Sequence, residues 1–258
     1  MAVSNNDGDA PRIIVSLTTF PGRINIVYKA LYSIMNQTVK PDMIILWLSR
    51  DQFRDIQLPK ELTDLSQLGL TIKWVDGDIR SYKKLVPALM EYPDDIIITA
   101  DDDLYYPIYW IESLIKSYKK YPNDIHSHLI TRLSREGDKV IYQNRSRSMS
   151  GEASYYNKLL GGSGTLYPPH SLNEKVTDIR LFTKLAPTSD DIWFWSMAVL
   201  NRHKIRWIEN GMPDIFCVEK SQETDCLWKV NDNEANVFEK HLNDVIRYFD
   251  LMDILESD

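Results

Sequence analysis

The chain has 258 residues, enough for one large α/β domain or two small ones around a substantial core. It carries 30 basic and 37 acidic side chains, for a formal net charge of −7, which opposes general attraction to nucleic acid and to anionic lipid surfaces. Hydrophobic residues make up 43% of the chain and charged residues 26%, which excludes disorder for most of its length. We therefore expect a folded protein with no nucleic-acid partner.

Cysteine content and apolar runs bear on the compartment. The two cysteines, Cys217 and Cys226, are too few for a secreted disulfide framework and indicate a reducing compartment. The first residues lack the basic-then-apolar pattern of a signal peptide, and the longest apolar stretches, such as 43–48, are far too short to span a membrane. We expect a cytoplasmic protein without a transmembrane segment.

The first half of the chain alternates between two kinds of pattern. Residues 1–11 are polar and are predicted to form a loose arm, and residues 12–258 a single domain. Apolar β-branched runs predict strands, and apolar residues at helical spacing predict helices between them. The predicted strands are 13–18, 43–49, 70–75 and 95–100, and the predicted helices are 24–35, 82–92 and one opened by Pro107. This alternation is typical of an α/β fold with a parallel sheet, which binds ligands beyond the carboxyl ends of its strands.

The second half is less regular. A segment rich in Arg, Ser and Gly is followed by a predicted helix over 189–201, a strand over 204–209 and a C-terminal amphipathic helix that includes Val237 and Phe249. We expect residues 12–106 to form the nucleotide-binding half and residues 107–258 the half that binds the specific substrate.

Three consecutive carboxylates, Asp101 to Asp103, follow directly on an apolar strand. Alternate side chains of extended backbone share a face, so Asp101 and Asp103 are expected to converge and Asp102 to point away. Two convergent carboxylates suit Mg²⁺ or Mn²⁺, which leave further coordination positions to phosphate and water. The pattern favours a metal-bound diphosphate, and a solvated acidic turn is the alternative.

A second acidic pair, Asp190 and Asp191, opens a predicted helix. Thr188 or Ser189 is a suitable N-cap, which places both carboxylates in the first turn beside the positive end of the helix dipole. Capping alone would explain them. The bulky residues 192–195 that follow favour a functional role, in which a carboxylate at a rigid helix start is a general base.

Basic and glycine-rich segments supply two further candidates. Arg80, Lys83 and Lys84 precede an apolar helical stripe; they would neutralise phosphate at the edge of the crevice or else form a solvated helix face. Residues 161–164 contain three glycines, which let the backbone approach a ligand closely or form a flexible loop. The five histidines show no metal-ligand spacing.

In this order, these segments resemble the GT-A glycosyltransferases that assemble bacterial capsular and lipopolysaccharide glycans, with an opening similar to family 2. The resemblance covers roughly residues 12–208 and rests on IIVSLTTFPGRI, YSIMNQTVKPDMIILWLS, DIRSYKKLVPALMEYPDDIIITADDDLYYP, GGSGTLYPP and APTSDDIWFWSMAVLN. It implies a Rossmann-like GT-A fold, with a mostly parallel central sheet flanked by helices and a C-terminal helical segment.

The resemblance also implies an activity. A sugar would pass from a nucleoside-diphosphate sugar, with UDP as the expected nucleotide, to a hydroxyl of a glycan or glycolipid in surface polysaccharide synthesis. Mn²⁺ or Mg²⁺ is the implied cofactor, and the acceptor would bring any peripheral contact with the inner membrane. Inversion at the anomeric carbon is the expected outcome, although retaining enzymes share this fold and metal motif.

The same resemblance assigns roles to single residues. On the donor side it implies base and ribose contacts from Thr18, Thr19, Phe20 and Arg23, diphosphate contacts from Lys83 and Lys84, and an Asp-x-Asp motif in Asp101, Asp102 and Asp103. Within that motif Asp103 is the direct metal ligand, and Asp101 assists at the ribose or the metal. On the acceptor side it implies Asp191 as general base, with Asp190, Gly162 and Trp193 near the acceptor.

Two departures and two rival functions qualify the resemblance. Trp47, Leu48 and Ser49 stand where family 2 enzymes usually have a base-reading Asp, so Asp76 or Asp78 is a candidate substitute, and an Asp-Asp pair replaces the usual Glu-Asp. A HAD-type phosphatase also combines an Asp-x-Asp with a later acidic pair, but Tyr105 fills the place of its Thr or Val. A non-catalytic sugar-nucleotide or glycan-binding protein is the second rival.

Overall fold

The computed structural model describes residues 10–143, 151–209, 211–212, 214, 216–219, 221 and 237–258. Most of the predicted N-terminal arm and Cys226 lie outside these residues. In chain order the strands are β1 (Ile13–Thr18), β2 (Met43–Ser49), β3 (Leu70–Val75), β4 (Ile96–Thr99), β5 (Leu104–Tyr105), β6 (Ile125–Ser127), β7 (Ile130–Glu136), β8 (Lys139–Tyr142), β9 (Ala153–Ser154), β10 (Asn157–Leu159), β11 (Thr165–Tyr167), β12 (Ile205–Trp207) and β13 (Phe216–Cys217). The α-helices are α1 (Val27–Met35), α2 (Lys60–Ser66), α3 (Val86–Glu91), α4 (Trp110–Lys120), α5 (Ile179–Leu185), α6 (Asp190–Leu200), α7 (Val237–Phe249) and α8 (Met252–Leu255).

Within the described part of the chain, eight strands form the central sheet in the order β3-β2-β1-β4-β11-β6-β12-β9. The first four are parallel, β11 is antiparallel to both its neighbours, and β6 and β12 are parallel. Strands from both halves of the sequence thus share one mostly parallel sheet, which confirms the predicted fold class. The separate roles proposed for residues 12–106 and 107–258 stay a prediction.

Both faces of the sheet are covered, which explains why its central strands are continuous apolar runs. On β1, Ile14 belongs to the apolar cluster packed by α6 and α7, whereas its neighbour Val15 belongs to the cluster packed by α1 and α4. Both side chains are fully buried. The sheet is therefore the rigid middle layer, and the loops that leave its carboxyl edge are held at fixed positions.

Two helix predictions need correction. The predicted helix 82–92 is a short 3₁₀ helix, Arg80–Lys84, followed by α3. Pro87 lies in the first turn of α3, where its missing N–H costs no hydrogen bond, so the break falls just before it. The helix predicted from residue 24 begins at Val27, after a 3₁₀ turn over Pro21–Arg23.

Two small sheets flank the central one. β10, β7 and β8 form an antiparallel three-stranded sheet, which the sequence did not predict. β13 pairs in antiparallel orientation with β5, the short strand that directly follows the acidic segment Asp101 to Asp103. The backbone N–H of Val218, next to β13, donates to the carbonyl oxygen of Asp103 at 2.7 Å, so a late segment of the chain fixes the backbone of that aspartate.

Candidate active site

A cavity of about 710 Å³ lies at the carboxyl ends of β1 to β4. Segments that follow each of these four strands contribute to its wall, and residues of α6, α7 and the three-stranded sheet complete it. Parallel sheets bind ligands at this edge because their loops converge there. The charged side chains that line the cavity are Arg23, Asp78, Arg80, Lys83, Lys84, Asp101, Asp102, Asp103, Lys158, Asp190 and Asp191.

The acidic segment does not continue the extended backbone of β4. The chain turns at Asp102 and Asp103, so the predicted alternation of side chains is wrong. Asp102 and Asp103 both pair with Arg23, at 2.8 and 2.9 Å, whereas Asp101 pairs with Lys84 at 2.6 Å. Asp102 and Asp103 are also only 5% and 7% exposed, so this segment is not a solvated acidic turn.

Burial dominates the electrostatics of this segment. Burial first, and then the charge of Asp101, raise the pKa of the Asp103 carboxyl to about 6 against the opposing effect of Arg23. Burial also raises the pKa of Asp102, which is opposed by Arg23 and by a hydrogen bond from the Thr19 hydroxyl. Carboxylates whose pKa is raised in this way are stabilised by an added cation.

The glycine-rich loop packs directly on Asp101. A Cβ atom on Gly162 would lie 1.8 Å from Oδ2 of Asp101, so any other residue at this position would displace the Asp101 carboxylate. The Tyr106 hydroxyl joins the two segments, because it accepts from the backbone N–H of Asp101 at 2.7 Å and donates to the carbonyl of Gly162 at 2.7 Å. The loop thus lies against the acidic segment at the wall of the cavity, and its predicted approach to a ligand stays a prediction.

Lys83 and Lys84 are buried, at 2% and 5% exposure, so neither belongs to a solvated helix face. Lys83 forms an ion pair with Asp78, and burial lowers its pKa against that pairing. Lys84 lies between the two acidic groups, with Nζ 2.6 Å from Asp101 and 3.4 Å from Asp190. Burial alone would lower the pKa of Lys84, but the nearby carboxylates raise it well above its usual value.

Asp190 and Asp191 occupy the first turn of α6, as predicted. Ser189, the N-cap, makes no capping bond with its side chain, and its hydroxyl instead contacts Nδ1 of His241 at 2.9 Å. Oδ1 of Asp191 accepts a hydrogen bond from the backbone N–H of Gly161 at 2.9 Å. Asp191 therefore connects the start of α6 to the glycine-rich loop.

The pKa of Asp191 is raised to about 6, first by burial and then by the charge of Asp190, while Lys158 and Lys84 oppose the rise. A carboxylate with this pKa is mostly ionised at neutral pH and is still basic enough to accept a proton. The arrangement therefore has the chemistry of a general base at the start of α6, at the wall of the cavity.

The remaining donor-side candidates line the cavity near β1. Thr18 and Phe20 are part of its wall, and the Thr18 hydroxyl donates to the carbonyl of Trp47 at 2.8 Å. The guanidinium of Arg23 lies 5.6 Å from the centre of the Phe20 ring. Thr19 and Arg23 are both held by Asp102, so this group forms one connected cluster.

Two candidates for reading the base fall in different environments. Asp78 lines the cavity, where it pairs with Lys83 and accepts from the side-chain amide of Gln52 at 2.8 Å. The side chain of Asp76 is 93% exposed and pairs with Arg50 outside the cavity wall. Asp78 is therefore the candidate that the geometry supports.

The prediction that Trp193 contacts the acceptor is wrong. Its side chain is fully buried, its indole N–H donates to the carbonyl of Val176 at 3.0 Å, and its ring packs on Phe182 and Phe249. The aromatic run after Asp191 thus belongs to the core beneath α6. Its burial holds the first turn of the helix in place.

Several cavity residues on the three-stranded sheet and α7 were not predicted from sequence patterns. Tyr142 of β8, Lys158 of β10 and Phe238 of α7 all line the cavity. The Tyr142 hydroxyl is buried and has no hydrogen-bond partner within the described residues. Only the amphipathic pattern of α7 gave a signal, because the pairing that brings β8 and β10 to the cavity is long-range.

The carboxylates of Asp101 and Asp103 fit a hard divalent cation. Both line the cavity, and they lie close enough for the charge of Asp101 to raise the pKa of Asp103. Across the described residues, no group of three or more His, Cys, Asp or Glu side chains is placed to hold a metal. Two carboxylates would thus share the ion with substrate oxygens and water, as is usual for Mg²⁺.

Among the described residues, no helix is both long enough and apolar enough to cross a bilayer.

No family model matches the chain, and no curated protein matches it. Among solved structures, the mannosyltransferase PcManGT from Pyrobaculum calidifontis, in complex with GDP-Man and Mn²⁺, matches with a TM-score of 0.57 and 15% identity, over 92% of this chain and 64% of that one. Residues 1–349 of S. aureus TarS match with a TM-score of 0.53 and 14% identity, over 81% of this chain and 61% of that one. The chain spans less than two thirds of both. At these identities the likeness establishes the fold alone: the chain shares the α/β fold of these two structures, in agreement with the fold that the sequence resemblance implies.

Proposed function

We propose that the chain is a metal-dependent glycosyltransferase, which moves a sugar from a nucleoside-diphosphate sugar to a hydroxyl of a glycan or glycolipid. The observation that carries the proposal is that one cavity contains both acidic groups, the Asp101 to Asp103 segment and the Asp190–Asp191 pair, with Lys84 between them. A donor diphosphate and an acceptor hydroxyl need these two kinds of site side by side.

The donor half of the cavity is the part near β1, β3 and β4. Thr18, Thr19 and Phe20 would contact the base and ribose, with Asp78 available to a polar edge of the base. Arg23, Lys83 and Lys84 supply positive charge for the diphosphate. UDP is the nucleotide we propose, and GDP belongs in any test because a mannosyltransferase of this fold is described in complex with GDP-Man.

Asp101 and Asp103 would hold Mn²⁺ or Mg²⁺. Such an ion supplies Lewis-acid stabilisation for the negative charge that develops on the departing diphosphate. Arg23 holds Asp103 and Lys84 holds Asp101, so the two carboxylates are oriented by cationic side chains. The positive charges of Arg23 and Lys84 lower the electrostatic cost of holding these two carboxylates close together.

The acceptor half is built around Asp191. In an inverting transfer the acceptor oxygen bonds to the anomeric carbon, the bond from that carbon to the diphosphate oxygen breaks, and Asp191 takes the acceptor proton. The N–H of Gly161 fixes one carboxylate oxygen, which leaves the other for the proton. Asp190 and Gly162 would contact the acceptor sugar. We place this reaction in the cytoplasm, in the synthesis of bacterial surface polysaccharide.

Donor binding is the first test. Thermal unfolding would be followed with UDP- and GDP-sugars, with Mn²⁺ or with chelator, since a ligand that binds only the folded state stabilises it. We expect a nucleotide sugar to raise the unfolding temperature only with metal, and Asp103→Asn to abolish that gain. Asp64→Asn, at an exposed ion pair with Lys60, is the matched control. Equal stabilisation with and without metal would contradict the proposal.

Turnover is the second test, because a binding protein could pass the first. The selected donor and a panel of glycan acceptors would be assayed for release of nucleoside diphosphate, and the anomer of the product determined by NMR. Release of inorganic phosphate from simple phosphate esters would instead support a phosphatase. Tight metal-dependent binding without any transfer would support a non-catalytic sugar-nucleotide protein.

A further inference from the structure

Lys84 is held in place at both ends. It closes the 3₁₀ helix Arg80–Lys84, and its backbone carbonyl accepts a hydrogen bond from the hydroxyl of Ser16, on β1, at 2.6 Å. Its ammonium lies 2.6 Å from Oδ1 of Asp101, and its side chain is 7% exposed. Gly161 lies beside its stem, since a Cβ atom there would be in ordinary van der Waals contact, 3.9 Å from Cδ of Lys84.

This position places the fixed positive charge of Lys84 beside Asp101, a proposed metal ligand. A cation that binds Asp101 has to share that carboxylate with the ammonium, and two like charges a few ångströms apart repel strongly inside a protein. The second partner of Lys84, Asp190, is 3.4 Å away, so the ammonium is retained between two carboxylates. Lys84 therefore opposes the binding of a metal ion alone.

A nucleoside diphosphate reverses the sign of this effect. The diphosphate is strongly anionic, and its complex with one divalent cation still carries negative charge. The ammonium of Lys84 therefore attracts the complex although it repels the free ion. Lys83 differs in this respect because it is paired with Asp78, outside the acidic segment.

We propose that Lys84 makes metal binding at Asp101 conditional on the nucleoside diphosphate, so that the metal enters with its nucleotide. This inference rests on the proposed function. Lys84 acts as a specificity-determining residue: it discriminates between the free cation and the cation–diphosphate complex.

The test measures binding of Mn²⁺ alone, by the paramagnetic resonance signal of the free ion, and of UDP with saturating Mn²⁺, by calorimetry. Lys84→Met should bind Mn²⁺ alone about tenfold more tightly than the wild type and the complex of Mn²⁺ with UDP more weakly, so its discrimination between the free cation and the complex falls. Lys84→Arg should keep the wild-type pattern. Lys83→Met is the matched buried-lysine control and should leave the affinity for Mn²⁺ alone within about twofold of the wild type.

A second comparison, between two variants chosen to balance the buried charge, controls for misfolding. Lys84→Met leaves buried carboxylates without a counter-charge, so the comparison is repeated between Asp190→Asn and the double variant Lys84→Met with Asp190→Asn. The double variant should again bind Mn²⁺ alone more tightly than its single-variant reference. Damage to the fold would weaken metal binding, so a gain in affinity cannot arise from it.

The outcomes separate the two proposals. Unchanged or weaker binding of Mn²⁺ alone in both Lys84→Met backgrounds, with metal-dependent UDP binding intact in the wild type, would overturn the role of Lys84 only. Failure of the wild type to bind UDP in a metal-dependent way would overturn the proposed function itself.

Discussion

The backbone N–H of Gly161 donates to Oδ1 of Asp191 at 2.9 Å, and this bond joins the glycine-rich loop to the first turn of α6. A Cβ atom on Gly161 would lie 3.1 Å from the same oxygen, so the two segments are in close contact. The next residue of the loop, Gly162, packs on Asp101. One short loop therefore sets the distance between the proposed base and the proposed metal ligand.

The proposed base gives the first prediction. Asp191→Asn keeps the oxygen that accepts from Gly161 but removes the basic carboxylate, so sugar transfer should fall by about 10²-fold or more while donor affinity is retained. Asp190→Asn should act mainly on the Michaelis constant for the acceptor. Steady-state rates and donor calorimetry on both variants check this. Near-normal turnover in Asp191→Asn would show that Asp191 is not the base and serves only to connect the glycine-rich loop to α6.

The pH dependence of the rate follows from the same carboxyl group. Burial raises the pKa of Asp191 to about 6, and only its ionised form accepts a proton. The transfer rate at saturating substrate should therefore rise with pH through about 6 and level off above it. The measurement is the rate constant from pH 5 to 8 with metal held saturating. A flat profile across that range would argue against Asp191 as the base.

Asp191 should also cost stability at neutral pH. Its folded-state pKa of about 6 exceeds the value of about 3.9 expected in the unfolded chain. The folded state thus binds the proton more tightly, and stability is greatest below the unfolded value and decreases as pH rises through about 6. Asp191→Asn removes this loss. It should unfold about 3 °C higher than the wild type at pH 7.5, and the difference should vanish near pH 4; a constant difference would contradict the cause.

Substitution of the glycine loop tests its contact with the acidic segment. In Gly162→Ala the added methyl overlaps Asp101, because a Cβ atom at this position would lie only 1.8 Å from the nearest carboxylate oxygen. Asp101 must then move, so metal-dependent donor binding should weaken by at least about tenfold. Gly151→Ala is the control, since the nearest atom to its Cβ would be 3.6 Å away. Equal donor affinity in the two variants would show that the position of Asp101 is unimportant for binding.

The strands and the position of the acidic groups could be predicted from local patterns. β1 and β2 have the predicted bounds, because apolar runs that are buried on both faces leave little ambiguity. Asp190 and Asp191 fall in a first helical turn, as local capping chemistry requires. These features depend on neighbours within a few positions along the chain.

The partners of the acidic side chains could not be predicted. The pairing of Arg23 with Asp102, and of Lys84 with Asp190, depends on how distant loops meet at one edge of the sheet. The place of Trp193 beside Asp191 in the sequence does not show that its ring is buried, because that burial depends on contacts with α5 and α7. Tertiary packing decides both cases.

The pairing of β13 with β5 affects when the site can form during protein synthesis. Strands β1 to β4 leave the ribosome early, but the hydrogen bond to the carbonyl of Asp103 comes from Val218, which is added much later. Domains gain their cooperative structure as units rather than strand by strand. A nascent chain that ends before Phe216 lacks this bond, so the carbonyl of Asp103 gains its hydrogen bond from Val218 only after the late segment has been synthesised.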